Sequence, residues 1–325
     1  MAREVVIHQV GGPEELKFET VPDQTLGVGE ARIVHRAIGV NFIDTYHRTG
    51  LYPLPRYPSG IGLEAAGVVE DVGAGVTEVA PGDRVAYAGG TPGAYSTARN
   101  IPARLLVKLP DSITEQTAAA MMLKGMTVEF LIRRTFAVKP GQTVLWHAAA
   151  GGVGLIACQW LSSLGVRVIG TVGSREKAEL ARAHGCAETI LYREEDFVQR
   201  VLELTDGKKL PVVYDSVGKD TFLRSLDCLQ PRGLYVGFGN ASGKPDPFDI
   251  AQLATKGSLY LTRPTLFAYT ADRSDLLASA SSLFDVVRCG SVKIEISRRF
   301  ELAQASAAHA HLESRASTGS LLLIP

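Results

Sequence analysis

The chain has 325 residues, enough for two domains of ordinary size. Its 34 basic and 34 acidic residues cancel with no long basic run, so nothing points to nucleic acid, and no stretch of about 20 apolar residues offers a membrane span. Cys158, Cys186, Cys228 and Cys289 are scattered and form no C-x-x-C pair, and the opening Met-Ala-Arg-Glu carries no apolar leader pattern, so no disulfide framework is expected and a cytoplasmic setting is.

From residue 1 to about 120 the chain consists of short β-runs broken by Gly and Pro. Val5 to Gln9, Ala31 to Ala37, Ala65 to Val72 and Arg84 to Tyr87 are predicted strands, separated by turn signals such as Gly-Gly-Pro at 11–13 and Pro-Gly-Asp at 81–83. This describes a compact, partly barrel-like β domain. From about 125 to 262 strands and helices alternate, with strands expected near 143–147, 166–172, 187–191, 211–215, 233–238 and 258–263. Six strands with helical crossovers make a doubly wound parallel sheet of the α/β class. The tail is predicted to hold a helix (Asp272 to Cys289), a strand (Lys293 to Ile296), a second helix (Leu302 to Glu313) and a last strand (Ser320 to Ile324), and to return to the first domain.

The stretch from Val144 to Cys158 carries the most chemistry. An apolar strand ends in a small-residue turn, and Ile156, Trp160 and Leu164 then recur at helical spacing up to Gly165, a plausible stop. Ala149, Gly151 and Gly154 occupy the places of the G-x-G-x-x-G fingerprint, with Ala at its first position. Small residues let backbone approach a pyrophosphate, and the amides that open the helix face its charge. The alternative is a tight strand-to-helix turn and nothing more. The second strand, Val166 to Val172, completes a strand–helix–strand unit and favours a dinucleotide, hence hydride chemistry.

An NAD site usually places a carboxylate on the ribose 2′-hydroxyl about 20 residues past the glycines. Here that strand end carries Gly173, followed by Ser174 as helix N-cap and Lys177 in the first turn, where a cation opposes the helix dipole. A 2′-phosphate would satisfy that cation, so NADP(H) is expected; the plainer reading is a solvated Lys, with Glu176 beside it weakening the electrostatic case. Tyr192 follows the third strand and either stacks near the adenosine or caps the sheet edge.

At this point Pro81-Gly-Asp-Arg-Val85 and the late Ala-Gly-Gly-Val-Gly turn resemble the medium-chain dehydrogenase/reductase superfamily. Gly39-Val-Asn-Phe-Ile-Asp-Thr-Tyr46, Leu123-Lys-Gly-Met-Thr127, His147-Ala-Ala-Ala-Gly-Gly-Val-Gly154, Tyr214-Asp-Ser-Val-Gly218 and Gly257-Ser-Leu-Tyr-Leu-Thr-Arg-Pro264 are similar to the zeta-crystallin-like NADPH:quinone oxidoreductases. The resemblance spans essentially the whole chain. It implies a GroES-like β-barrel catalytic domain over 1–125 and 266–325 and a Rossmann NADPH-binding domain over 126–265. Zinc members of the superfamily carry a Cys in the segment matching Val40-Asn-Phe and a Gly-His-Glu matching Gly62-Leu-Glu64. Asn41 and Leu63 stand there instead, so no metal is expected.

The implied activity is NADPH-dependent reduction of quinones by direct hydride transfer, with Asn41, Tyr46 and Tyr52 at the nicotinamide and substrate. Each has a plainer reading, as a turn former for Asn41 and as packing for the two tyrosines. The implied cofactor contacts are Asn41, Thr127, Gly151, Gly152, Val153, Gly154, Gly173, Ser174, Lys177, Tyr192, Val217, Phe238 and Arg315. Arg315 alternatively is a surface residue. Arg263 ends the sixth strand, the expected sheet edge through which family members form homodimers. Two other activities stay open: reduction of alkenals or enones by the same hydride geometry, and a crystallin-like RNA-binding or structural role.

Overall fold

The computed structural model describes residues 1–22 and 24–325, which divide into two compact units: 1–126 with 270–288 and 294–325, and 127–269 with 289–293.

The first unit opens with β1 (Ala2–Ile7), β2 (Lys17–Val21) and β3 (Glu30–Val40), followed by α1 (Phe42–Thr49), β4 (Ser59–Gly60), β5 (Glu64–Val72), β6 (Arg84–Ala88), β7 (Ala98–Pro102) and β8 (Val107–Lys108). Helix α2 (Glu115–Phe130) then carries the chain past the division. β3 is the long central strand. Its alternate residues Ala31, Ile33, His35 and Ala37 are buried, as a half-covered strand requires, and burial becomes continuous from Ala37 to Val40 as it nears α1. The predicted strand Val5 to Gln9 begins and ends earlier, because pairing with β2 draws Ala2 to Val6 into the sheet and His8 to Val10 are exposed.

The second unit contains β9 (Thr143–Trp146), α3 (Gly152–Ser163), β10 (Arg167–Val172), α4 (Arg175–Ala183), β11 (Glu188–Leu191), α5 (Phe197–Leu204), β12 (Leu210–Asp215), β13 (Leu229–Gly237) and β14 (Tyr260–Thr262). All pairings are parallel and the spatial order is β11-β10-β9-β12-β13-β14. That order reverses direction next to β9, and nucleotides bind at the carboxyl edge beside such a reversal. α3 stops where Gly165 turns left-handed, with φ of 72°.

The tail adds helix Arg273–Arg288, then β15 (Ile296–Glu301), a 3₁₀ turn at Leu302–Gln304, helix Ala305–Glu313 and β16 (Ser320–Ile324). β16 pairs antiparallel with β3 and parallel with β15, completing a seven-stranded sheet in the order β15-β16-β3-β5-β6-β8, with β7 also on β3. The predicted strand Lys293 to Ile296 is therefore displaced: Lys-Ile-Glu-Ile alternates well, but the paired strand is Ile296–Glu301, in which Ser297, Arg298, Arg299 and Glu301 are exposed and Phe300 is buried. They form an edge strand, and its partner β16 sets its position. No helix among the described residues is long and apolar enough to cross a membrane.

Candidate functional site

The turn after β9 has the geometry that the fingerprint requires. Ala148 is held left-handed at φ 56°, a strained setting for a residue with a Cβ. Its carbonyl accepts from Gly151 N at 2.9 Å, and Ala149 N donates to Thr171 O at 3.1 Å. Gly151 is the N-cap of α3, so the amides of Gly152, Val153 and Gly154 head the helix. A Cβ on Gly154 would lie 2.4 and 2.5 Å from the carbonyl oxygens of Ala148 and Ala149, so only glycine fits. His147 braces the turn from beneath. Ser225 donates its hydroxyl to Thr221 O at 2.8 Å and so accepts from His147 Nε2 at 2.9 Å, leaving Nδ1 to accept from Thr171 at 2.9 Å. Burial holds this imidazole below its ordinary pKa, so it stays neutral.

At the end of β10, Ser174 accepts from Lys177 N at 3.3 Å and caps α4. The Tyr192 hydroxyl lies 3.2 Å from where a Gly173 Cβ would stand, so Gly173 leaves room for that ring. The first-turn Glu176 turns back to the Ser174 hydroxyl, and Arg175 pairs with Glu194 at 3.7 Å. Burial, then the neighbouring Arg193 cation, depress the Lys177 pKa. Arg193 also lies 6.0 Å from the Tyr192 ring centroid. Two cations thus crowd one helix N-terminus. Sequence reasoning missed Arg193, whose only signal was its place next to Tyr192.

A second missed residue, Asp215, ends β12 with its carboxylate fully buried. Its Oδ1 accepts from the amides of Val217 and Gly218 at 2.7 and 3.1 Å, and its Oδ2 from Thr221 and Tyr235 hydroxyls at 2.6 and 2.9 Å. Its carbonyl accepts from Phe238 N at 2.8 Å. Asp215 therefore positions both Val217 and Phe238 on the carboxyl edge, and four donors satisfy its buried oxygens. A lone acid closing an apolar strand was the available signal. Thr127 lies in α2 and is buried.

In the first unit, Asn41 caps α1, and Asp44 reaches back to accept from Asn41 N at 2.8 Å in a capping box. The Asn41 side chain donates Nδ2 to Glu64 at 2.7 Å. Glu64 is fully buried and also accepts from Leu123 N at 2.7 Å and Lys124 Nζ at 3.4 Å. One amide donor of Asn41 is thus already engaged with Glu64. Tyr46, one turn further along α1, packs edge-on against Tyr52 with ring centroids 5.2 Å apart, and Tyr52 N donates to Tyr46 O at 3.0 Å. The structure therefore gathers Asn41, Tyr46 and Tyr52 in one unit. It gathers Gly151 to Gly154, Gly173, Ser174, Lys177, Tyr192, Val217 and Phe238 along one sheet edge of the other. Arg315 belongs to the first unit and follows helix Ala305–Glu313 with a left-handed φ of 58°. At the positions of the superfamily's zinc ligands, Leu63 is buried and Asn41 is bound to Glu64; no cluster of three or more His, Cys, Asp or Glu among the described residues could hold a metal ion.

Residues 27–111 match the alcohol dehydrogenase GroES-like domain and residues 152–278 match the zinc-binding dehydrogenase domain. The chain is 54% identical over 325 residues to a quinone oxidoreductase of Pseudomonas aeruginosa, covering all of both proteins. It belongs to the quinone oxidoreductase family. The solved structure of the Escherichia coli quinone oxidoreductase complexed with NADPH superposes with a TM-score of 0.98 at 49% identity, covering 100% of both chains. A 2-haloacrylate reductase of Burkholderia is 46% identical across 100% of this chain and 99% of its own. The expected medium-chain dehydrogenase/reductase fold, a GroES-like domain with a six-stranded Rossmann sheet, is thus the fold of this quinone oxidoreductase relative.

Proposed function

We propose that this protein is an NADPH-dependent quinone reductase that acts without zinc. The full-length identity to quinone oxidoreductases carries the reading. The second unit fits the cofactor. Gly154 lets the start of α3 close against the carbonyls of Ala148 and Ala149, and the Gly152 and Val153 amides that head the helix are available to a pyrophosphate. Gly173 stands where a ribose-binding carboxylate is usual, and the Ser174 and Tyr192 hydroxyls with the Lys177 and Arg193 cations suit a 2′-phosphate. Asp215 sets Val217 and Phe238 for the nicotinamide end. Gly151 and Gly154 shape the turn and Thr127 adds a hydroxyl, while Arg315 is assigned to the cofactor by the family resemblance alone.

Bound NADPH supplies a hydride. The first unit's task is then to orient a flat acceptor and stabilise the charge it gains. A quinone needs modest help, because its reduced anion is delocalised and aromatic. Asn41 holds its amide against Glu64, and Tyr46 offers a hydroxyl and a ring face, with Tyr52 supporting that ring edge-on. No zinc ligand set is needed for this chemistry. We assign the enzyme to the cytoplasm, as a homodimer joined through the edge of its Rossmann sheet.

The test is NADPH oxidation against quinones, enals, 2-haloacrylate and alcohols, after exhaustive chelation. Quinones should be reduced at an unchanged rate. Preference for 2-haloacrylate or an enal would favour the activated-alkene reading, which the Burkholderia relative supports. A zinc lost together with activity would contradict the metal-free reading.

A further inference from the structure

Asp44 is buried completely, yet its two oxygens are used unequally. Oδ2 accepts both available hydrogen bonds, from Asn41 N at 2.8 Å and from the Tyr95 hydroxyl at 2.9 Å. Among the described residues Oδ1 is buried with no partner. Behind Oδ2 runs a chain whose polarity follows from its members. Tyr95 donates its one proton to Asp44, so His309 Nε2, 3.0 Å from the Tyr95 oxygen, must be the donor there. His309 Nδ1 then accepts from Arg48 Nη1 at 3.3 Å, and Arg48 is held bidentate by Glu313 at 2.7 and 2.9 Å. Burial and the Arg48 charge drive the His309 pKa down to about 3, so this imidazole stays neutral and every proton in the chain points at Asp44.

An asparagine in place of Asp44 would reproduce the two hydrogen bonds with its one carbonyl oxygen. Structure alone therefore does not demand a carboxyl, and a buried, unsatisfied carboxyl oxygen calls for another cause. Resting on the assignment of Asn41 and Tyr46 to hydride acceptance, we propose that Asp44 is a positioning residue whose ionised form sets Asn41 and the first turn of α1 in working geometry. Charge on Oδ2 tightens the bond from Asn41 N, while the side chain of Asn41 is fixed separately by Glu64. Protonation slackens the first of these two anchors.

The surroundings poise that ionisation in the working range. Burial raises the Asp44 pKa from 3.8 to about 7, against Asn41 N, the Tyr95 hydroxyl and Lys124 of α2, which lower it, while Glu64 of β5 adds to the rise. Arg48 on the same helix and the neutral His309 face it through Tyr95. Because the folded pKa exceeds the unfolded one, Asp44 favours the fold fully below about pH 4 and loses that contribution as pH climbs to about 7. The carboxyl is thus a burden on stability where the enzyme works, a pattern typical of functional groups.

The test compares wild type with Asp44→Asn and Tyr95→Phe in three measurements: NADPH affinity by titration, kcat for a quinone from pH 5.5 to 9, and Tm at pH 5 and 8. Asp44→Asn should bind NADPH within about twofold of wild type, lose at least about tenfold in kcat, and lose the wild-type inflection near neutrality. Its Tm should rise at pH 8 and gain nothing at pH 5. Tyr95→Phe removes a donor to the ionised form and should move the inflection to higher pH. Unchanged kcat in Asp44→Asn, or a fall in its Tm at pH 8 that parallels the fall in kcat, would overturn the assignment. A wild type inert to quinones would overturn the functional reading alone; a lowered Tm at pH 8 would still overturn the role of Asp44.

Discussion

Lys177 and Arg193 show how a residue acquires meaning from what surrounds it. Two cations at one helix N-terminus repel each other and the helix dipole, and an anion placed between them relieves both penalties. Replacing Lys177 with Ala should weaken NADPH binding by about 1.5–3 kcal/mol, the range for a hydrogen bond to a charged group, and leave NADH binding unchanged. Calorimetric titration with both cofactors decides it, and equal losses would remove Lys177 from the 2′-phosphate. The grouping of Gly173, Ser174 and Lys177 was legible because they lie close in sequence: Ser174 caps a helix whose third residue is Lys177. Asp44, Tyr95 and His309 were not legible together, since 51 and 214 residues separate the bonded partners and no local pattern marks them. Glu64 was read as part of a lost zinc motif, and only the fold shows it gripping Asn41 and Leu123.

Among elements, those built on their own periodicity were read well and those built on partners were not. β9, α3 and β10 follow from apolar runs around a small-residue turn, and their bounds differ from expectation by a residue or so. β2, β7 and β15 are polar or partly exposed, and their neighbours specify them. The helix expected from Leu302 begins as a 3₁₀ turn and becomes α-helical at Ala305. The turn before α3 makes the sharpest prediction at this scale. A Cβ at position 154 meets backbone atoms within 2.6 Å, and backbone cannot swing aside as a side chain could. Gly154→Ala should therefore displace the turn, cost roughly 1–3 kcal/mol of stability, and weaken NADPH and NADH alike. Thermal melts and paired titrations would reveal it; a loss confined to NADPH would mean the turn does not hold the shared pyrophosphate.

For the molecule as a whole, the open question is what covers the last strand of the parallel sheet. Among the described residues β14 pairs with β13 on one side alone, and Tyr260 and Leu261 are 61% and 39% exposed, with Phe267 close behind in sequence at 38%. An open edge beside apolar side chains invites pairing, and natural proteins cover or charge such edges. This strand carries no charge until Arg263, whose Nη1 is turned inward onto Gly237 O at 2.9 Å. A second copy, related by a two-fold axis, would pair β14 with itself and bring residues near the strand centre opposite their own equivalents. Leu261 is that central residue. Leu261→Lys would set two like charges across the axis, which opposes pairing directly. The variant should elute at half the mass of the wild type in light-scattering chromatography, while its NADPH affinity stays within about twofold, since the cofactor edge of the sheet is built from β9 to β13. A wild type that is already monomeric, or a variant that remains dimeric, would place the subunit contact elsewhere.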